Sequence, residues 1–191
     1  MVIYLFRHSQ PDPPPDVCYG QSNIPLIPWH FEHTVKRLRR LLPVQPRDTI
    51  YSSPLKRCVL LAKSLTKGPC RVKVDKRLSE MHFGEWEMKT WNDIDDQGLL
   101  RWCKNHIDEK APGGESFKEL YRRVCDFWDD ITGGDEERVF ICTHGAAMKA
   151  ILTHIFEMPL KNSSSWQLHY GDAIRIEKND HHPYLVEFLS Q

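Results

Sequence analysis

No stretch of this 191-residue chain approaches the roughly 20 consecutive apolar residues that a membrane-spanning helix needs. The N-terminus has no basic segment ahead of its first apolar run, and that run (residues 2–6) is too short for a signal peptide. An excess of charge of either sign is also missing. The 26 basic residues face 26 acidic ones, so no global field draws nucleic acid or anionic lipid. The six cysteines (Cys18, Cys58, Cys70, Cys103, Cys125 and Cys142) form no C-x-x-C pair and no Cys/His pair at zinc-finger spacing. Cys58, Cys125 and Cys142 fall inside apolar patterns, where a free thiol acts as a small hydrophobe. These absences predict a protein of the reducing cytoplasm without disulfide framework, structural zinc or membrane span. Internal repeats, a Walker loop and a metal-binding carboxylate cluster are missing as well. The one biased run, PDPPP (11–15), can be neither helix nor central strand and reads as a loop.

The length predicts one domain over 1–191, and the 40% apolar share with six tryptophans suits a packed globule. Along the chain, strand and helix patterns alternate. VIYLF (2–6) is a buried strand, and 29–42 has helical spacing through Phe31, Val35, Leu38 and Leu42. Residues 48–53 form a short strand, and 54–65 an amphipathic helix with Pro54 in its first turn. RVKVD (71–75) alternates like a strand, and two helical stretches cover roughly 90–107. APGG breaks the chain, and 115–131 reads as a long helix started by Ser116 as a cap. RVFIC (138–142) is a second apolar strand, followed by a helix over 145–156 and short strands near 165–169, 172–177 and 184–188. This order predicts an α/β three-layer sandwich with a mostly parallel central sheet. Residues of about 80–130 are expected to form a small helical, cap-like part over the crevice.

Two of the strands end alike: VIYLF runs into Arg7-His8, and VFIC into Thr143-His144. In a doubly wound sheet, ligands bind beyond the carboxyl ends of the strands. Neighbouring strands bring the two histidines together there. Arg57, one turn into a helix that follows a strand, belongs on the same side. Arginine suits bidentate binding of phosphate oxygens, and a neutral imidazole is a nucleophile. The residue types point to metal-free attack on phosphorus by histidine.

FRHSQ, SSPLKRCVLLAKSL, RLSEMHFGEWE, PGGESFKELYRRV and THGAAMKAIL, in that order, resemble the histidine phosphatase superfamily, the phosphoglycerate mutase-like fold, over nearly the whole chain. CYGQSNIPL (18–26) with FGEWE resembles its α-ribazole 5'-phosphate phosphatase branch. The resemblance implies that His8 attacks phosphorus and becomes a phosphohistidine, and that Arg7, Arg57 and His144 hold the phosphoryl oxygens. It implies that Glu80 protonates the leaving alkoxide and then deprotonates the attacking water. Like-charge repulsion from the phosphate dianion favours the protonated carboxyl before reaction. His8 must present a bare nitrogen, so its other nitrogen is expected to donate to a backbone carbonyl. Gln10, Tyr19, Gly20, Gln21 and Phe83 align with stretches that line the pocket mouth in relatives.

One departure stands out. Members of the family usually have Gly directly after the first histidine, and this chain has Ser9, which fits freely only at negative φ. The implied function is a cofactor-independent phosphomonoesterase, with α-ribazole 5'-phosphate in cobalamin assembly as the leading substrate. The alternatives are a broad small-molecule phosphatase, a phosphoglycerate-type mutase, and a phospho-ligand binder without turnover. The expected partner is a small phosphate ester, with no nucleic acid and no membrane, and the protein a monomer or homodimer. The basic helix face at 35–42 reads as solvated, and His30 and His33 lack a third metal ligand. His181-His182 reads as an inert polar turn. Trp86, Trp91 and Trp102 are expected to pack the part over the crevice, with an aromatic wall for a flat base as the second reading.

Overall fold

The computed structural model describes residues 1–46, 48–65, 71–179 and 184–189. Cys70 and the His181-His182 turn lie outside them. The strands are β1 (Val2–Arg7), β2 (Thr49–Ser52), β3 (Arg71–Val74), β4 (Arg138–Thr143), β5 (Ala173–Glu177) and β6 (Leu185–Leu189). The α-helices are α1 (Pro28–Leu41), α2 (Lys56–Ser64), α3 (Asp96–Asn105), α4 (Phe117–Thr132) and α5 (Gly145–Ile155). The six strands form one sheet in the order β3-β2-β4-β1-β5-β6. β1, β2, β3 and β4 pair in parallel, and β5 and β6 add an antiparallel edge. The fold class is therefore the α/β sandwich that the alternating pattern predicts.

Period-two alternation sends neighbouring residues of the central strands to opposite faces. Ile3, Leu5, Val139, Ile141, Ile174 and Ile176 pack against α4 and α5. Phe6, Ile50, Phe140 and Cys142 pack against α1 and α2 through Leu38, Cys58, Leu61 and Ala62. β1 and β4 are apolar on both faces because a helical layer covers each. A fully buried residue such as Leu5 or Ile141 contributes about 1.5–3 kcal/mol by leaving water. α4 begins with a capping box: Ser116 Oγ accepts from the Glu119 amide and Glu119 Oε2 accepts from the Ser116 amide. That is the capping role expected of Ser116.

Residues 83–111 build a separate small cluster of Trp86, Ile94 and Ala111 with Cys18, edged by Phe83, Trp91, Leu99 and Trp102. α4, by contrast, packs on the sheet through Leu120, Val124, Phe127 and Trp128. The two helical stretches expected at 90–107 are a 3-10 turn over Trp91–Asp93 and the α-helix Asp96–Asn105. One local expectation fails. The expected strand at 165–169 is absent, and a 3-10 turn over Leu160–Ser165 leads into irregular chain. That segment crosses the rim of the sheet: the Leu168 carbonyl accepts from Arg7, and Trp166 stacks near Phe156 and Phe188. Among the described residues, no helix is long and apolar enough to cross a membrane.

Candidate active site

The sheet register sets Arg7 opposite Thr143, so β1 and β4 end level and His8 and His144 leave the same rim together. The His8 amide donates to the Thr143 carbonyl at 3.1 Å, which fixes the first ring to the second strand. The ring centroids lie 4.9 Å apart at an interplanar angle of 61°. β2 ends beside them, where the Ser53 amide donates to the Cys142 carbonyl. Arg57, two residues into α2, reaches the same point. His8, Arg57 and His144 are all at most 1% exposed.

The hydrogen bonds assign both tautomers. His8 Nδ1 lies 2.6 Å from the Ser9 carbonyl oxygen, which can only accept, so Nδ1 carries the proton and Nε2 keeps its lone pair. Arg57 Nε donates to His144 Nδ1 at 3.2 Å, so the proton of His144 sits on Nε2, from which it donates to Ser53 Oγ at 2.7 Å. Both nitrogens of His144 thus have protein partners, and the ring can donate to a bound oxygen acceptor only by turning Nε2–H away from Ser53, because Nδ1 carries no proton. Burial, then the Arg57 and Arg7 guanidiniums, hold the His8 pKa well below 6.5. Burial, then His8, Arg57, Arg7 and Arg123, do the same to His144. Both rings are therefore neutral around pH 7.

Each arginine is braced by carbonyls. Arg7 Nη1 donates to Leu168 O at 2.6 Å, and its guanidinium carbon lies 4.0 Å from the centre of the Tyr170 ring. Gly145 allows this approach, since a Cβ there would meet Arg7 Cζ at 3.2 Å. Arg57 donates to Ser22 O at 2.8 Å and to Gly20 O at 2.6 Å, so the 18–26 loop holds it in place. The loop is held in turn by Glu87, which accepts from the Gln21 amide at 2.9 Å, Ser22 Oγ at 2.5 Å and the Phe83 amide at 3.2 Å. Gly20 has φ +36°, and a Cβ there would lie 2.5 Å from Glu87 Oε1.

The three carboxylates that sequence alone does not rank are separated by their surroundings. Glu85 is exposed, and Glu87 is the brace just described. Glu80 Oε1 accepts from the Ala146 amide at 3.2 Å, at the start of α5, and lines the crevice. Among the pocket-mouth candidates, Tyr19, Gly20 and Phe83 line a cavity of about 400 Å³ beside Glu80. Gln21 and Gln10 do not. Gln21 Nε2 is turned to the Glu80 carbonyl at 2.8 Å, and the backbone of Gln10 pairs with His30 and Ile27. Phe83, Trp91, Trp102 and Phe117 give the cavity an aromatic wall. Trp86 belongs to the cluster behind it. Ser9 is fully buried, is not in the left-handed region, and its hydroxyl has no partner in the protein, so serine fits the backbone here.

Sequence reading missed Ser53, Tyr170 and Glu87 as parts of the site. Ser53 was readable, being the residue just past a strand end, like both histidines. The other two carry no local signal, because their place depends on loop paths.

A family model described as the histidine phosphatase superfamily (branch 1) matches residues 3–190. A Hydrogenobacter thermophilus protein named "Putative phosphoserine phosphatase 2" is 30% identical over 176 residues, 90% of this chain and 85% of that one. The adenosylcobalamin/alpha-ribazole phosphatase of Salmonella typhimurium is 25% identical over 177 residues, 90% of this chain and 87% of that one. The crystal structure of the alpha-ribazole phosphatase from Shigella flexneri superposes with a TM-score of 0.87 at 22% identity, covering 100% of this chain and 96% of that one. With two strand-end histidines flanked by two arginines, and a model match across almost its whole length, the chain belongs to branch 1 of the histidine phosphatase superfamily.

Proposed function

We propose that the protein hydrolyses small phosphomonoesters through a phosphohistidine on His8, without a metal ion. The observation that carries this reading is the His8 tautomer: Nδ1–H is tied to the Ser9 carbonyl, and a neutral Nε2 stands among Arg7, Arg57 and His144. Nε2 bonds to phosphorus as the ester P–O bond breaks, and Glu80 gives its proton to the leaving alkoxide. A water oxygen then bonds to phosphorus, the Nε2–P bond breaks, and Glu80 takes back the water's proton. Arg7 and Arg57 offset the charge on the phosphoryl oxygens, the task a metal performs elsewhere. His144 orients Arg57 and stands ready to join them.

The aromatic wall beside Glu80 favours an alcohol that carries a flat, apolar group. The α-ribazole 5'-phosphate of cobalamin assembly has such a group, and relatives are named for that activity. It is the first substrate to test, ahead of a broader role on small phosphate esters, and a cytoplasmic place fits such work. A panel of α-ribazole phosphate, phenyl phosphate and sugar phosphates, assayed in EDTA for kcat/KM and phosphate release, tests the reading. Wild type is expected to turn over, with an acid-labile phosphoenzyme that His8→Ala abolishes. Turnover that survives His8→Ala, or that stops in EDTA, refutes it.

A further inference from the structure

Glu80 lies within residues 79–83, which form neither helix nor strand, so no regular ladder of backbone hydrogen bonds fixes it. One side chain of α4 does that work. Arg123 donates to the carbonyls of Arg77 at 2.6 Å, Ser79 at 2.8 Å and Glu80 at 3.0 Å. Glu115, just ahead of α4, completes the clamp. It accepts from Arg123 at 2.6 and 2.9 Å, and its Oε1 also accepts from the His82 amide at 2.9 Å. All five N–H groups of the guanidinium are thereby used, a pattern that the fork of an arginine allows and a lysine cannot reproduce. The side chains of Arg123 and Glu115 are only 21% and 16% exposed, so little water competes for these bonds.

The carboxylate of Glu80 is held separately. Its Oε1 accepts from the amides of Met81 at 3.0 Å and Ala146 at 3.2 Å. Oε2 is 3.5 Å from the Ala146 amide, at the limit of a hydrogen bond, which makes it the oxygen left to carry a proton. A carboxylate pinned to the amide of the next residue moves with its own backbone. How far Oε2 reaches into the crevice is therefore set by the position of residues 77–82, which Arg123 grips.

We infer that Arg123, paired with Glu115, is the positioning residue for proton transfer by Glu80. This rests on the phosphatase reading above. Arg123 touches no part of the ester; it sets the distance from Glu80 Oε2 to the bridging oxygen. A leaving group depends on that distance in proportion to its basicity. Phenoxide departs poorly without a proton, whereas 4-nitrophenoxide departs well as the bare anion. His8, Arg7 and Arg57 serve both esters alike, so general damage to the site slows both, and a misplaced Glu80 slows only the first.

The test measures kcat/KM for phenyl phosphate and 4-nitrophenyl phosphate, two esters of similar shape, with urea unfolding alongside. Arg123→Lys keeps the charge opposite Glu115 but not the fork. It is expected to lower kcat/KM about a hundredfold for phenyl phosphate and less than about threefold for 4-nitrophenyl phosphate. Glu115→Gln loosens the same clamp and is expected to show the same selectivity, with a loss of about tenfold on phenyl phosphate. In a Glu80→Gln background, Arg123→Lys is expected to remove less than about a further threefold. Equal losses on the two esters overturn the inference, whether in Arg123→Lys or, should that variant not fold, in Glu115→Gln. So does a phenyl phosphate rate that neither variant lowers, or a hundredfold loss that persists in the Glu80→Gln background. In each of these cases wild-type turnover that His8→Ala abolishes still upholds the phosphatase reading. Wild type that turns over neither ester overturns both.

Discussion

Removing Glu87 is expected to cripple a site that its side chain never enters. The carboxylate holds three donors, the amides of Gln21 and Phe83 and the hydroxyl of Ser22. A hydrogen bond to a charged group contributes about 1.5–3 kcal/mol where solvent is excluded. Glu87 is only partly buried, and water replaces part of what is lost, so Glu87→Ala is expected to cost about 2–4 kcal/mol. The damage falls on residues 19–23, whose carbonyls at Gly20 and Ser22 brace Arg57. A displacement of about 1 Å at a positioning group costs on the order of a hundredfold in rate. Glu87→Ala is therefore expected to lower kcat/KM for phenyl phosphate about a hundredfold. Glu87→Gln, which keeps an acceptor for both amides, is expected to lower it less than about tenfold. Gly20→Ala should break the same brace from the other side, and the double variant should lose little more than either single one. Urea unfolding and steady-state kinetics together decide the matter. If Glu87→Ala loses stability yet keeps wild-type kcat/KM, the link from Glu87 through the loop to Arg57 is wrong.

Three further outcomes follow from the buried polar groups. His8 and His144 have pKa values held well below the 6.5 of an exposed ring, so the unfolded chain binds more protons than the native one as pH falls below about 6.5. Their contribution to stability is full above that pH and is lost below it, by up to about 1.4 kcal/mol per pH unit for each ring. Urea midpoints between pH 8 and 5 should show the decline, and His8→Asn should make it shallower; an unchanged slope contradicts the buried neutral ring. Ser9→Ala removes a buried hydroxyl that has no partner, so thermal unfolding should show stability unchanged or raised by up to about 1 kcal/mol. A clear loss would mean the hydroxyl is bonded within the free protein. Ser53→Ala takes the acceptor from His144 Nε2–H and should cost about 1–3 kcal/mol, read from urea unfolding; a smaller loss would show that Cys58 Sγ, 3.4 Å away, replaces it.

The sheet and the two strand-end histidines were legible because each depends on a short run of residues. Five apolar residues that stop at Arg7-His8, and four that stop at Thr143-His144, carry both the strand and its exit point in adjacent letters. Arg57 was legible for a similar reason, lying one turn past a strand end. Glu80 was not, since its neighbours Glu85 and Glu87 have the same chemistry, and only the path of 78–88 across the rim tells them apart. Tyr170 and Leu168 reach Arg7 from 161 or more residues away, through a segment whose spacing mimics a strand. Lys149 looks like an ordinary polar position on a mostly apolar helix until the start of α5 is known to face the crevice.

The His8 amide proton is tied to β4, and the carbonyl of the same residue accepts from Gly171 at the start of the β5 side. His8 is thus stitched into the middle of the sheet between two strands, rather than displayed on a loop. Its amide should be among the last in the molecule to exchange with deuterium, opening only when the whole sheet comes apart. Any breathing that admits a ligand must then come from the 18–26 loop and the aromatic cluster opposite, leaving the His8 ring as a fixed anvil.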